Sequence, residues 1–368
     1  MNHEYDTLPI RYGTIPVCFG MLKPQLPAPP HPPTSCQTLT PLSPSGSNLT
    51  RLTNPIFEAP MATPAPITPP PPRPPASGRR KIRIVCISDT HNIQFKPPDG
   101  DVLIHAGDMT NAGSHTELKR AVEWMGGLEH EVKIVLAGNH DGVTLDPLFF
   151  KEFGDRFHNC NPQSHEDNLK LFVSSEARSR GIVYLNHEAK RVVLDDGRTF
   201  KVFGSPWSKK SGLWGFGYDE PNCLDESLWV DVPADTEVMV THGPPRCHLD
   251  SPQAPKIGCE CLRQTLWNVR PALHVFGHVH QGRGVEVVKW DTQSPHIRYK
   301  ELSTTKISDP APESKKLFKV DLTRIAEREE TCLVNAAIPM QPWRKGIGHA
   351  GRNKAVVVDL MVDVVGLE

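Results

Sequence analysis

The sequence predicts an α/β fold for one folded domain that spans residues 80–365. Short segments rich in Val and Ile recur along this part of the chain, and they are almost continuously apolar, as is typical of strands covered on both faces. The first of them follow the order strand, crossover, strand, helix, strand, which favours a layered α/β protein. Polar residues stand where many of these segments end, so we expect a ligand site at one edge of the sheet.

Residues 1–79 form a Pro-rich tail that we predict to be disordered. Of the chain's 37 prolines, 20 lie within residues 1–80. Such a segment cannot bury enough apolar surface to offset its loss of conformational entropy. Its end, ITPPPPRPPASGRR, favours a polyproline II conformation. We expect a solvated spacer, with recruitment of an SH3- or WW-type partner as the alternative.

The first half of the domain begins with three buried strands and a helix. The predicted strands cover residues 81–88, 101–107 and 131–138. Between the second and the third, the spacing of Leu118, Val122 and Met125 predicts an amphipathic helix over residues 115–128.

The second half continues with a hairpin region and further strands. Residues 181–186 and 190–204 alternate in polarity, and Asp196-Gly197 supplies a turn because glycine accepts a positive φ. We then expect a strand at 237–245, a helix at 258–269, a strand at 271–280, and closing strands at 331–338 and 353–360. Residues 289–330 are predicted to be a polar, irregular insertion with a helix near 322–330.

Charge, apolar runs and cysteine content argue against a nucleic-acid-binding, a membrane-spanning and a secreted disulfide-rich protein. The net charge of −1 provides no basic field for a nucleic-acid backbone, and no apolar run reaches the ~18 residues of a membrane-spanning helix. The N-terminus lacks the pattern of a signal peptide. The nine cysteines show no disulfide spacing and predict reduced thiols, Cys259 and Cys261 included. We expect an intracellular, cytoplasmic protein, with a nuclear location as the alternative, and no nucleic-acid or membrane partner.

Imidazole, carboxylate and amide side chains stand at nearly every strand end. In chain order they are Asp89 and His91, Asp108, Asn139, His140 and Asp141, His242, and His278 and His280. A glycine beside most of these positions lets the backbone approach closely. His105, His248 and His274 lie outside this pattern and are interpreted as ordinary polar residues.

These residue types are suited to a pair of divalent cations. Imidazoles bind Zn, Fe or Mn, and carboxylate and amide oxygens suit the harder of these ions. A carboxylate such as Asp108 has two oxygens and can bridge two cations. Two cations about 3.5–4 Å apart share a water and lower its pKa from about 15.7 toward about 7, which supplies hydroxide at neutral pH. No cysteine belongs to the set, which disfavours a structural zinc site.

These residues resemble the calcineurin-like metallophosphoesterase superfamily, whose motif is D-x-H, G-D, G-N-H-[D/E], H and G-H-x-H. The strings CISDTH, GDVLIHAGD, KIVLAGNHD, FGSPW, THGPP and RPALHVFGHVH are similar to one branch, the metallophosphoesterase domain-containing proteins. That branch is related to class III cyclic-nucleotide phosphodiesterases. The resemblance covers about residues 82–290 and resumes at about 331–360.

The resemblance implies a four-layer α/β/β/α metallophosphoesterase sandwich with a dinuclear metal site at the C-terminal ends of its strands. It also implies that one metal takes Asp89, His91 and His280, that the other takes Asn139, His242 and His278, and that Asp108 bridges them. His140 and Asp141 are placed with the catalytic residues. His140 would contact the phosphate or protonate the leaving group, and Asp141 would orient neighbouring groups.

At three points the chain differs from the motifs of particular metallophosphoesterase branches, and these differences narrow the range of expected activities. Phosphoprotein phosphatases of the superfamily carry G-D-x-x-D-R-G, whereas this chain has Asn111 and Ala112 in place of the second Asp and the Arg. Asn111 also stands where purple acid phosphatases have a metal-binding Tyr. Vertebrate members of the branch replace the first His of G-H-x-H by Gly, but this chain keeps His278. We therefore expect both metal sites to fill.

The Gly-rich segment 204–221 is the candidate substrate wall. Its Trp207, Trp214 and Phe216 could stack on a base, and its Lys209 could meet a phosphate. The alternative, that these aromatic rings form a small core under a loop, is given equal weight.

The predicted function is that of a dinuclear metal-dependent phosphodiesterase. It would hydrolyse small phosphodiesters, with cyclic nucleotides as candidates, by attack of a metal-bridging hydroxide. Two alternatives are a nuclease of the same superfamily and a non-catalytic scaffold recruited through the Pro-rich tail. The near-neutral charge disfavours the nuclease, and the complete ligand set disfavours the scaffold.

Overall fold

The structure is a computed structural model that describes residues 78–219, 228–252, 256–293, 300–340 and 351–365. Apart from its last two positions, the Pro-rich tail predicted to be disordered (residues 1–79) lies outside the described residues. No helix among the described residues is long and apolar enough to cross a membrane.

The described residues form fifteen strands and six α-helices, of which the first four elements follow the predicted order strand, strand, helix, strand. The strands are β1 (Arg79–Ile87), β2 (Val102–Ala106), β3 (Val132–Leu136), β4 (Ile182–Tyr184), β5 (Glu188–Val193), β6 (Arg198–Ser205), β7 (Ser208–Lys209), β8 (Gly217–Tyr218), β9 (Val238–Thr241), β10 (Leu273–Phe276), β11 (Gly284–Trp290), β12 (Glu301–Lys306), β13 (Phe318–Asp321), β14 (Glu330–Asn335) and β15 (Val356–Val364). The helices are α1 (His115–Gly126), α2 (Gly142–Leu145), α3 (Pro147–Phe157), α4 (His165–Val173), α5 (Ser175–Ser179) and α6 (Glu260–Val269), with a 3-10 turn at His280–Gly282.

The strands form two half-sheets joined at one corner. The hydrogen-bonded order is β12-β11-β14-β10-β9-β6-β15-β1-β2-β3-β4, with β13 added to β15 and β5 added to β6. The strand ladder passes from one half to the other where Asp363 and Val364 of β15 pair with Thr199 and Arg198 of β6. An isolated parallel bridge also joins Ser88, after β1, to Ala337, after β14. Strands β1 to β4 are parallel in one half, and β6, β9, β10 and β14 are parallel in the other.

Apolar side chains define four layers. Ile84 and Ile104 of one half-sheet share a fully buried core with Val240 and Val275 of the other. The outer face of the first half packs against α1, α4 and α5. The outer face of the second half packs against α6. The predicted four-layer α/β/β/α sandwich is therefore confirmed.

Local signals explain where the first helix begins. Ser114 caps α1 and forms a reciprocal capping box with Glu117, the third residue of the helix. Leu118, Val122 and Met125 are buried on one face of this helix, as their spacing predicts. The same cap side chain, Glu117, accepts a hydrogen bond from Asn92 after β1, so the helix start is tied to the site described below.

Three details differ from the predictions. Residues 182–184 pair in parallel with β3 and not in the hairpin, which consists of β5 and β6 around Gly197 at φ 82°. Residues 289–330 contain the end of β11 with β12 and β13, and turns replace the helix expected near 322–330. Cys261 is disulfide-bonded, so the prediction of a reduced thiol was wrong for it, because an odd cysteine count still permits a bond.

Candidate metal centre

The carboxyl ends of five strands meet at one edge of the sandwich. Two of these ends, after β1 and β10, are joined because the His278 backbone N–H donates to both carboxylate oxygens of Asp89, at 2.9 and 3.1 Å. The His242 ring, after β9, donates from Nδ1 to the Ala106 carbonyl of β2 at 2.9 Å. The His140 N–H, after β3, donates to Asp108 Oδ1 at 2.9 Å. Backbone N–H groups thus hold both carboxylates, and the bonds from His278 and from the His242 ring connect one half-sheet to the other.

Asp89, His91 and His280 form a first group of potential ligands. Their ligand atoms all lie within 4.8 Å of one another. Nε2 of His280 is 3.4 Å from Nε2 of His91 and 3.4 Å from Oδ1 of Asp89. These are the three residues predicted for one metal.

Asp108, His242 and His278 form a second group on the same criterion. Asn139 completes it, because its Oδ1 lies 3.0 Å from His242 Nε2 and 2.8 Å from His278 Nδ1. The structure therefore brings together the side chains predicted for the other metal.

Asp108 lies between the two groups. Its Oδ2 is 3.8 Å from Nε2 of His91 in the first group and 3.5 Å from Nε2 of His242 in the second. His140 stands beside this carboxylate and forms a third cluster with His91 and Asp108. The geometry is compatible with the predicted bridge, and the ligand roles themselves stay predictions.

The backbone of several ligand candidates is strained. Asp89, His91, Asp108 and His278 have φ values of 55°, 44°, 53° and 66°. Non-glycine residues rarely adopt this left-handed region, and such outliers concentrate at functional sites. Four of the seven residues predicted to bind metal therefore have a backbone conformation that is energetically unfavourable.

Glycines make the close approach of the strand ends possible. At Gly138 an added Cβ would overlap the Asp108 carboxylate and its backbone nitrogen. At Gly277 a Cβ would overlap Asp89 and Ser88. Both glycines therefore leave room for a carboxylate of the site.

Hydrogen bonds on the far side of two rings turn Nε2 toward the centre. His91 donates from Nδ1 to the Thr110 carbonyl at 3.1 Å, and His242 donates from Nδ1 to the Ala106 carbonyl. Carbonyl partners of this kind orient metal-binding imidazoles in proteins. The donor set consists of nitrogen and oxygen atoms without a thiolate, so the residues fit the predicted pair of divalent cations, Mn, Fe or Zn.

The two carboxylates stay charged although both are buried. Burial would raise the pKa of Asp89, but His280 and His242 beside it lower the value to about 2. Burial would also raise the pKa of Asp108, but His242 and His140 hold it well below its usual range. Two buried negative charges therefore face the same space.

The imidazoles divide into charged and neutral rings. Burial would lower the pKa of His242, yet Asp108 and Asp89 raise it to about 9. Burial lowers the pKa of His91 to about 3 and that of His278 to about 4. A cation held by His242 would displace its proton, because a ligating imidazole must be neutral.

Asp141 ties two strand-end loops together. Its carboxylate is fully buried and accepts hydrogen bonds from the backbone nitrogens of Gly138, Met109 and Thr110, at 2.9 to 3.1 Å, and from the Thr110 hydroxyl at 2.6 Å. Burial and the charge of Asp108 raise its pKa to about 6. These contacts suit a residue that orients its neighbours.

Two fully buried histidines support the site although the motif does not contain them. His105 of β2 hydrogen-bonds through Nε2 to the hydroxyl of Thr90, between two ligand candidates, at 2.9 Å. His274 of β10 donates to the hydroxyl of Thr241, beside His242, at 2.8 Å. Their sequence signal was an imidazole inside an apolar strand, which we interpreted as an ordinary polar residue.

The residues of the candidate substrate wall have different surroundings. Phe216 is 2% exposed and meets the half-buried Trp207 edge-on at 5.5 Å. Lys209 lies half-buried in the short strand β7. Trp214 stands apart from them, because its ring lies against His140 with the centroids 4.0 Å apart.

A family model described as calcineurin-like phosphoesterase matches residues 82–282, the range that contains all these strand ends. The chain belongs to the calcineurin-like phosphoesterase family. The resemblance predicted from the motif is confirmed.

Curated relatives align with this calcineurin-like phosphoesterase over little more than half of its length. Human metallophosphoesterase domain-containing protein 1 is 36% identical over 208 residues, which are 55% of this chain and 62% of that protein. A Caenorhabditis elegans UPF0046 protein is 38% identical over 215 residues, 58% and 68% of the two chains. An Emericella nidulans protein named probable rhamnogalacturonate lyase C is 42% identical over 212 residues, 57% of this chain but 18% of that protein.

We expect Gly138→Ala to weaken Mn binding by roughly 10- to 100-fold, the loss typical when the support of a metal ligand is removed. The added methyl group must displace the Asp108 carboxylate. Isothermal titration of metal-free protein measures the affinity, and circular dichroism checks the fold. Gly127→Ala is the matched control, because its Cβ would meet other atoms only at 3.5 Å or more. Equal affinities of the two variants would contradict this role of Gly138.

His274→Gln should flatten the pH dependence of stability in metal-free protein. Burial lowers the pKa of His274 to about 3, so below about pH 6.5 only the unfolded state binds this proton and stability falls as the pH falls. Removing that group should reduce the slope between pH 6 and 4.5 by up to about 1.4 kcal/mol per pH unit. Urea unfolding at several pH values measures the slope. An unchanged slope would show that His274 does not have a lowered pKa in the folded protein.

Proposed function

We propose that this protein is a metal-dependent phosphodiesterase that hydrolyses small phosphodiesters, with cyclic nucleotides as candidate substrates. The observation that carries the proposal is the convergence of seven ligand-type side chains, namely Asp108 and two groups of three on either side of it. Membership of the calcineurin-like phosphoesterase family supports hydrolysis of a phosphoester.

Two sets of residues would hold the cations. One cation would be held by Asp89, His91 and His280. The other cation would be held by Asn139, His242 and His278. The Asp108 carboxylate would bind both cations. When bound, the two cations supply an activated water nucleophile and neutralise charge on the phosphoryl oxygens. Mn, Fe and Zn all suit this mixture of nitrogen and oxygen donors.

His140 is the residue that would act on the leaving group. Its Nδ1 donates to the Asn111 carbonyl at 2.6 Å, so Nε2 is the atom left to meet a phosphate or a departing oxygen. The ring is half-buried beside Asp108, at the rim of the centre. Proton transfer from a positioned imidazole contributes typically about 10²–10⁴-fold to a rate.

A diester substrate agrees with the surroundings of the centre. Asn111 and Ala112 replace the Asp and Arg that phosphoprotein phosphatases carry at these positions. Trp207 and Lys209 lie on the segment that follows β6 and are half-buried, so they remain candidates for contact with a nucleotide. The intracellular location and an SH3- or WW-type partner for the tail belong to this proposal as predictions only.

The proposal is tested with a panel of substrates and metals. Mono- and diesters, including 2′,3′- and 3′,5′-cyclic nucleotides, are assayed with Mn, Zn and Fe, beside single-stranded DNA and a plasmid. Turnover of diesters alone supports the proposal. Cleavage of the plasmid would favour the nuclease, and a purified protein without metal and without turnover would favour the scaffold.

Asp108→Asn should abolish hydrolysis and deplete both metals, because the amide cannot replace a carboxylate between two cations. Elemental analysis and turnover of a nitrophenyl diester measure the two effects. Asp155→Asn, at an exposed position of α3, is the control and should behave as the wild type. Retained activity in Asp108→Asn would exclude a bridging role.

A further inference from the structure

An indole ring covers one face of the His140 imidazole. The centroids of Trp214 and His140 are 4.0 Å apart and their planes are inclined by only 31°, which is a tilted stack. Phe157, the last residue of α3, meets the same indole at 5.5 Å and 49°. The indole face that stacks on His140 is not available to a nucleobase.

The stack restrains a motion that the other contacts of His140 leave free. The hydrogen bond from Nδ1 to the Asn111 carbonyl fixes one ring atom. The ring of His91 touches the imidazole edge-on, at 4.9 Å and 83°. The torsion that rotates an imidazole ring has broad minima, so one hydrogen bond and one edge contact do not set the plane of the ring. Trp214 provides the flat surface that does.

The segment that carries Trp214 is fixed to the same loop as His140. A Cβ at Gly215 would overlap the backbone of Gly142, two residues after His140, so the two backbones are in close contact. The Phe216 N–H donates to the Asp146 carboxylate at 2.7 Å. Asp146 also caps α3, the helix that supplies Phe157. The position of the indole is therefore fixed by the backbone contact at Gly215, which follows it, and by the α3 helix that supplies Phe157.

We propose that Trp214 is a positioning residue that holds the His140 ring in the plane from which Nε2 protonates the departing oxygen. This inference rests on the proposed function and replaces the idea of Trp214 as a platform for a substrate base. In the reaction a water oxygen forms a bond to phosphorus while the bond to the leaving oxygen breaks. The attacking water gives up its proton to the solvent. The leaving oxygen keeps the electron pair and takes the proton from Nε2 of a His140 ring that carries a proton on each nitrogen, because Nδ1–H stays bonded to the Asn111 carbonyl. The ring ends the step neutral.

The chemistry predicts which substrates depend on Trp214. A nitrophenolate leaves without a proton, whereas the alkoxide of a ribose needs one. Loss of the stack should therefore slow esters with poor leaving groups and spare those with good ones. A residue that contacts the substrate base would instead change KM for nucleotides alone.

The test compares Trp214→Ala with Trp214→Phe and with a control in the same loop. Metal-loaded enzymes are assayed on methyl aryl phosphodiesters of rising leaving-group pKa and on a cyclic nucleotide. We expect Trp214→Ala to lose roughly 10- to 100-fold in kcat on the poorest leaving groups, a part of what general acid catalysis contributes, with KM unchanged. Trp214→Phe should keep most of the rate, and Leu213→Ala, at a position 41% exposed, should match the wild type.

A second measurement detects the stack without turnover. In metal-free protein the indole should shift the His140 ring protons upfield in the NMR spectrum, and Trp214→Ala should remove the shift while circular dichroism stays unchanged. An equal loss across all leaving groups, a change in KM only, or an unchanged His140 shift would overturn the inference while the wild type still hydrolyses diesters. A wild type that hydrolyses no ester, with the shift present in its spectrum, would refute the proposed function instead.

Discussion

Two like charges buried at one edge of the sandwich are the constraint on which the rest of the structure depends. Asp89 and Asp108 are almost fully buried, and both stay ionised. Buried carboxylates are tolerated only when they are hydrogen-bonded and matched by positive charge. The N–H groups of His278 and His140 supply the hydrogen bonds, and His242 supplies a positive charge. Each partner comes from a different strand end, so the ends must converge.

This convergence explains why the backbone around the centre departs from regular geometry. The strands deliver their last residues from two half-sheets whose ladder continues through the β6–β15 corner. To face a common space, Asp108 and His278 adopt positive φ, and Gly138 and Gly277 leave out the Cβ atoms that would block the carboxylates. The apolar core between the half-sheets offsets this strain, since a well-packed interior resists the rearrangement that would relieve it.

The sequence predicts the strands and their polar ends well because both leave local signals. A buried parallel strand is an apolar run, and a ligand after it is an abrupt change to a polar residue. Strand β12 was missed because five of its six residues are exposed and it has no apolar face to recognise. Helices α2 to α5, between residues 142 and 179, were not predicted either. The contact between Trp214 and His140 joins positions 74 residues apart, which no periodicity reveals.

Support for the centre extends into strands where sequence patterns show only burial. His105 and His274 lie in β2 and β10, one in each half-sheet, and each hydrogen-bonds to a threonine beside a ligand candidate. The Thr241 hydroxyl donates to the Gly243 carbonyl, so the His274 ring must donate from Nε2. Burial keeps this ring neutral, because it lowers the pKa of His274 to about 3. Each ring has an Nδ1 without a hydrogen-bond partner among the described residues, and burying it has a cost. One such histidine lies in each half-sheet. We infer that the free-energy cost of burying Nδ1 is offset because each ring fixes a threonine, and each threonine adjoins a strand end that carries ligand candidates.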